Sequence, residues 1–362
     1  MRLRLRLALW LAALGMAPPV LAGDLGQALA AARAGAGTPA MAVMTVDAEG
    51  AVVLHVDGLR STLSAEPVTP EDAWHIGSNA KAMTATLALV LARAGVLSPD
   101  EPLSAFFPHL TLHPDLAGVP FAALLAHRSG LAANLSVGQM TDARRSRAGL
   151  PEQRAALAAH WLTRRPAQAP GRFEYSNLGY LIAGAALEAR TGADWFDLLG
   201  AHVLAPLGID SVGIGAPRGA APEGHRSVFG LMLRPEPATD PGADNPPVLG
   251  PAGTLHLTPA DYARFLASQL PGGPLLSDAE RAVLFAAPDP GAPMPYALGW
   301  AEVRLPDGRH VWQHAGSNTL WLTIARLEPA RGRAAAVFAN AATPATEAAL
   351  RALLDLALAP VD

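Results

Sequence analysis

The sequence predicts an α+β protein: an antiparallel β-sheet built from both chain ends, flanked by helices, with a large and mainly helical insertion. Three observations carry this. Apolar runs of strand length stand near the start, around residues 40–56, and again over residues 298–340. Helical periodicity fills much of the stretch between them. Hydrophobic residues make up 51% of the chain and charged ones 16%, which supports a large buried core and argues against disorder.

The elements follow in chain order. Residues 1–22 read as a secretory signal peptide. Arg2, Arg4 and Arg6 open it, Leu7 to Met16 is apolar, and Val20-Leu21-Ala22 is a small-residue cleavage site before Gly23. The apolar run is short for a membrane span. The expectation is therefore an exported chain, periplasmic or secreted, with no stable membrane span after cleavage. Leu25 to Arg33 looks helical. Ala40 to Val46 and Ala51 to Val56 read as a β-hairpin around Asp47-Ala48-Glu49-Gly50. Ser78 opens a helix on which Ala82, Thr86, Leu87, Val90 and Leu91 recur at helical spacing, and Gly95 ends it. Leu178 to Ala189 is an apolar helix closed by Arg190-Thr191-Gly192. Residues 213–250 are rich in Gly and Pro and read as a long irregular loop, of a length that suits a lid or binding loop. Thr258 to Leu270 is an amphipathic helix with Thr258 as N-cap and Pro259 at its first position.

Strands return at Leu298 to Leu305 and His310 to Gln313, around Pro306-Asp307-Gly308. Two more, Leu320 to Leu327 and Ala334 to Asn340, flank Pro329-Ala330-Arg331-Gly332. Thr343-Pro344 starts a final helix to Leu358. Residues 23–362 are read as one domain, with an α/β part over 23–75 and 251–362 and a helical part over 76–250. There is no internal repeat.

Composition excludes several functions. The net charge of −4 and the lack of a basic stripe argue against nucleic-acid binding. The arginine runs Arg144-Arg145-Ser146-Arg147 and Arg164-Arg165 are short and read as solvated helix faces. With no cysteine there is no disulfide, no thiol nucleophile and no cysteine-ligated metal. His109 and His113, like His310 and His314, are spaced as helical i,i+4 pairs. Pro108 and Pro114 flank the first pair and the second lies on an expected strand, so no metal site is expected. No phosphate-binding glycine loop appears, and no cofactor is expected. No G-x-S-x-G elbow exists, which removes an α/β-hydrolase.

The chemistry centres on Lys81, the single lysine among 27 basic residues. It stands in His75-Ile76-Gly77-Ser78-Asn79-Ala80-Lys81. A guanidinium stays protonated, whereas a desolvated ammonium can lose its proton. Lys81 is thus a candidate base three residues, and one helix face, from a candidate nucleophile, Ser78. The second element is Tyr175-Ser176-Asn177. A tyrosine hydroxyl near a cation can fall in pKa and relay protons. Asn177 offers a donor and an acceptor for a substrate amide. The third is His314-Ala315-Gly316-Ser317, at a strand end. Gly316 would let a substrate backbone approach the strand closely. The Ser317 N–H could join that of Ser78 as a two-donor oxyanion hole.

Together these segments resemble the serine β-lactamase and penicillin-binding-protein superfamily, in the branch with class C β-lactamases, D-alanyl-D-alanine carboxypeptidases and related esterases. The likeness spans essentially the whole chain after residue 22. Leu124-Leu125-Ala126-His127-Arg128-Ser129-Gly130-Leu131, Pro170-Gly171 through Gly179-Tyr180, Pro251-Ala252-Gly253-Thr254 with Asp261 to Leu266, and Tyr296 to Trp300 all resemble its segments. The resemblance implies a β-lactamase/transpeptidase-like fold, with Ser78 acylated, Lys81 as base, Tyr175 shuttling protons and Asn177 holding the substrate amide. His314, Gly316 and Ser317 would line the substrate strand. The third motif departs from the Lys-Thr-Gly of class C β-lactamases, which favours an esterase, amidase or peptidase. The implied substrate is a small molecule or peptide, with cell-wall-derived D-residue peptides among the candidates. The competing expectation is a penicillin-recognising or peptidoglycan-binding module with little turnover.

Overall fold

The structure is a computed structural model that describes residues 25–230 and 232–359. The expected signal peptide lies outside the described residues.

Six strands form one antiparallel sheet: β1 (Ala40–Asp47), β2 (Val52–Gly58), β3 (Ala301–Arg304), β4 (His310–Ser317), β5 (Leu322–Glu328) and β6 (Arg333–Ala339). Their spatial order is β2-β1-β6-β5-β4-β3. The first and last strands of the chain therefore pair directly, Met41 opposite Ala339 and Val46 opposite Ala334. That is the sheet expected from the two chain ends.

Side chains alternate across the sheet with period two. Met41, Val43, Ile324 and Val337 face one layer, made by α1 (Leu25–Ala36) and α5 (Pro344–Ala357) through Leu29, Leu350 and Leu354. Ala42, Met44, Leu327 and Phe338 face the other, larger core. That core contains α2 (Ala80–Arg93), α3 (Asn177–Thr191) and α4 (Pro259–Gln269). Each large side chain buried there contributes roughly 1.5–3 kcal/mol. α2 is buried from Ala80 to Leu91, as its nearly all-apolar surface requires. Thr258 and Thr343 cap α4 and α5 by accepting from Asp261 N and Thr346 N, and Gly192 ends α3 at φ +75°.

Two local expectations change. Ser78 does not start the long helix; it sits in a 3₁₀ turn, Gly77–Asn79, that leads into α2. Residues 213–250 are not uniformly irregular. Gly224–Val228 and Met232–Glu236 pair as a hairpin, turning through Phe229 and Gly230 at φ +52° and +69°. Among the described residues no helix is long and apolar enough to cross a membrane.

Candidate active site

The turn that carries Ser78, the candidate nucleophile, is held by two strands. Asn79 donates its side-chain amide to Ile76 O and Thr323 O, and Thr323 Oγ1 donates to His75 O, which fixes the turn to β5. Gly316 on β4 packs flat against it: a Cβ at Gly316 would stand 2.0 Å from Ile76 O and 2.6 Å from Ser78 N. Gly77 itself adopts φ +52°, with Ser317 N 2.5 Å from where its Cβ would be. The amides of Ser78 and Ser317, the candidate oxyanion donors, thus flank one glycine-to-glycine contact.

Ser78 is half-buried and Lys81 is fully buried. Lys81 Nζ lies 3.0 Å from Ser78 Oγ, 2.7 Å from Asn177 Oδ1 and 2.6 Å from Ala252 O. The helical i+3 spacing accounts for the first contact. The other two come from α3 and the Gly250–Gly253 helical turn, which Thr84 Oγ1 anchors to α2 by donating to Pro251 O. None of the three acceptors is charged. Burial holds the Lys81 ammonium pKa well below its ordinary value. The faces of Tyr175 and Tyr180, with centroids 4.8 and 5.5 Å from Nζ, favour the charged form. Burial in the absence of a carboxylate partner outweighs them.

Tyr175 stands on the loop before α3, whose N-cap is Ser176. Sequence suggested that a neighbouring cation would lower its pKa; instead burial raises it, with a hydrogen bond to Ser78 opposing. Its hydroxyl therefore stays protonated at neutral pH. Asn177 donates its Nδ2 to Asn134 Oδ1 at 2.7 Å, which aims its oxygen at Lys81.

The third motif lies partly inside the protein, and His314 offers no cation to the groove. It is 5% exposed, with Nδ1 3.0 Å from Ala315 O and Nε2 3.0 Å from Tyr296 Oη. The carbonyl can only accept, so Nδ1 carries the proton and Nε2 accepts from Tyr296. Burial, then the nearby Lys81, press the His314 pKa down to about 3. Gly316 meets the nucleophile turn rather than an open substrate edge, because Ile76 and Ser78 occupy the space beside it. Ser317 is exposed at the groove.

Tyr296, Tyr180, Asn134 and Asn245 join the site with no local sequence signal for a role, and His127 carries only its place in a motif. Three of the four tyrosines converge here, Tyr175, Tyr180 and Tyr296, around His127 at ring-centroid distances of 4.2, 5.3 and 4.6 Å. His127 adopts φ +58° and accepts from Ser176 N at 3.0 Å. The scarcity of tyrosine was the signal available in the sequence. The groove over Ser78 is lined by Asn134, Met140, Asn177, Asn245 and Ser317, with no arginine or carboxylate. A larger apolar cavity of about 570 Å³ lies beside Arg128 and Pro170 and contains none of these groups. Among the described residues no three His, Asp or Glu side chains gather as a metal-binding group.

A serine hydroxyl bonded to a buried amine, beside a phenol and on this sheet, defines a serine hydrolase of the Ser-x-x-Lys kind. A family model described as Beta-lactamase matches residues 25–359, and the chain belongs to that family. It is 28% identical over 290 residues to penicillin-binding protein 4 of Amycolatopsis lactamdurans, covering 75% of this chain and 73% of that one. Its fold is similar to a D-stereospecific amidohydrolase from Streptomyces sp. (TM-score 0.73, 21% identity, covering 93% and 98% of the two chains). It is also similar to a class C beta-lactamase from Rhodobacter sphaeroides (TM-score 0.72, 19% identity, covering 91% and 98%).

Proposed function

We propose that the protein is an exported hydrolase that works through an acyl-enzyme on Ser78, with Lys81 as base. The observation that carries this is the hydrogen-bond inventory of Lys81. Asn177 Oδ1 and Ala252 O accept only, and two N–H groups of a neutral amine satisfy them. The third position of the nitrogen faces the Ser78 hydroxyl at 3.0 Å, as an N–H donor in the resting contact and, once the amine is neutral, as the lone pair that takes the hydroxyl proton.

In the reaction the Ser78 proton passes to Lys81 as Oγ attacks the substrate carbonyl carbon. The N–H groups of Ser78 and Ser317 hold the oxyanion. Tyr175, still a phenol, hands its proton to the leaving group as that bond breaks, and regains one from Lys81. Water then adds to the ester, gives its proton back along the same path, and Ser78 is released.

The groove is lined by asparagines and serines with no arginine, which suits esters and amides without a carboxylate at the binding end. The fold neighbours described as D-stereospecific amidohydrolase and D-amino acid amidase support amides of D-amino acids among them. Mass spectrometry with a fluorophosphonate tests the reading; an unmodified Ser78 in folded protein would sink it. Turnover of p-nitrophenyl esters and D-amino-acid amides, with little of nitrocefin, is expected next. The relative named penicillin-binding protein 4 keeps one second reading open. A stable penicillin adduct without turnover would assign the chain to it. Export is tested by N-terminal sequencing of mature protein, with Gly23 expected first.

A further inference from the structure

We propose that Asp244 is a positioning residue that sets the oxyanion hole, by clamping the turn that carries Ser78 to the turn that follows Ser317. The proposal rests on the acyl-enzyme reading above.

Asp244 is 8% exposed, and among the described residues no lysine or arginine pairs with its carboxylate; its charged-type contact is to the His75 ring. Three neutral donors share its two oxygens. Oδ2 lies 2.9 Å from His75 Nε2. Oδ1 accepts from Asn245 N at 2.7 Å and from Asn318 Nδ2 at 2.9 Å. Each of the two long arms has its proton placement fixed by its other end. His75 Nδ1 accepts from Gly77 N at 3.1 Å, so the ring proton is on Nε2, facing Asp244. Asn318 Oδ1 accepts from Leu320 N and Trp321 N at 3.1 and 3.2 Å, so its NH₂ faces Asp244.

The consequence is topological. Gly77 is one residue from Ser78, and Asn318 is one residue from Ser317. One carboxylate therefore reaches both candidate oxyanion donors through two hydrogen bonds on one side and one on the other. The arms are stiff. His75 is 1% exposed and stacks on Trp321 at 5.5 Å, and the Asp244 carbonyl accepts from Arg144 Nη1 at 2.6 Å. Asp244 also brings Asn245 into the groove, so the segment that shapes substrate binding and the clamp are continuous. A donor displaced by about 1 Å costs on the order of 10²-fold in rate, and losing one costs about 10²–10³-fold.

Asp244→Asn is the test, because it keeps shape and removes one acceptor. Three donors then meet one oxygen and one NH₂. If the NH₂ faces His75, the ring proton must move to Nδ1, against Gly77 N–H. Fluorophosphonate inactivation separates the terms without knowledge of the substrate. The variant should show kinact lowered about 10–100-fold, with KI changed less than about threefold. A kinact within twofold of wild type in folded protein overturns the clamp. So does an equal loss in both constants, which indicates a collapsed groove. If Asp244→Asn does not fold, Asn318→Ala removes one arm only and carries the same two criteria. Labelling of wild-type Ser78 keeps the readings apart: an unlabelled wild type defeats the acyl-enzyme reading, whereas a labelled wild type with an unaffected variant defeats the clamp alone.

Discussion

The hydroxyl of Tyr296 donates to Nε2 of His314 across 3.0 Å, while Nδ1 of the same ring is 3.0 Å from the carbonyl of Ala315. Both nitrogens are committed inside the protein, so the third motif presents a neutral ring where the resemblance would put a lysine. Adding charge there is not equivalent to restoring a carboxylate site.

His314→Lys should therefore raise acylation by carboxylate-bearing penicillins less than about threefold. The new ammonium would be buried beside Lys81, and both effects favour its neutral form. Acylation of Ser78 measured by mass spectrometry checks this. A gain of tenfold or more would show that the side chain reaches the groove.

Lys81→Met keeps the length of the buried side chain and removes the base. Acylation by a fluorophosphonate should fall at least about 10²-fold, the range of a general base. Asn177 Oδ1 and Ala252 O each lose a donor, so a stability cost of about 1–3 kcal/mol is expected from urea titration. Near-normal labelling would remove Lys81 from the mechanism.

Gly316→Ala should disable the site while keeping the sheet. Its Cβ would stand 2.0 Å from Ile76 O, and backbone rather than a flexible side chain has to move. The expected cost is about 1–3 kcal/mol of overpacking, with acylation reduced about 10²-fold as Ser78 shifts. Circular dichroism unchanged and acylation unchanged together would contradict the packing.

Acid should weaken the fold through the buried histidines. His314 titrates near pH 3 when folded, against about 6.5 in an unfolded chain. Between those values the unfolded state binds the extra proton, so unfolding free energy rises with pH. The contribution is complete above about pH 6.5 and is lost as pH falls, by up to about 1.4 kcal/mol per unit. His127, lowered by burial and by Lys81 and His314, acts in the same direction. Denaturant titrations from pH 7.5 to 5 should show a shallower pH slope for His314→Gln than for wild type. Equal slopes would mean that His314 is not held neutral.

Much of the fold was legible because its signals are local. The runs at residues 40–46 and 334–339 are nearly continuous apolar stretches, as a sheet covered on both faces requires, and Thr258 and Thr343 are followed by proline in the manner of helix starts. The hairpin at Gly224–Glu236 was missed because its Gly and Pro content reads as loop. Its signal, Phe229-Gly230 between two short strands of mixed polarity, is weak without the φ values. At the site, Ser78 and Lys81 were legible because i+3 spacing on a helix fixes their proximity. Asn177 reached Lys81 through α3, which no spacing rule predicts.

By itself the sequence determined the chemical groups: one lysine beside a serine, a scarce tyrosine before an asparagine, and histidine in place of lysine in the third motif. Tertiary structure alone decided their states. Burial lowers the Lys81 pKa, which favours the free amine, and keeps Tyr175 a phenol. Tyr296 and Ala315 fix the His314 tautomer, the Ser78 turn claims the space beside Gly316, and Asp244 meets His75 across 169 residues. Protonation depends on desolvation and on partners brought from distant segments, and neither is written in local order.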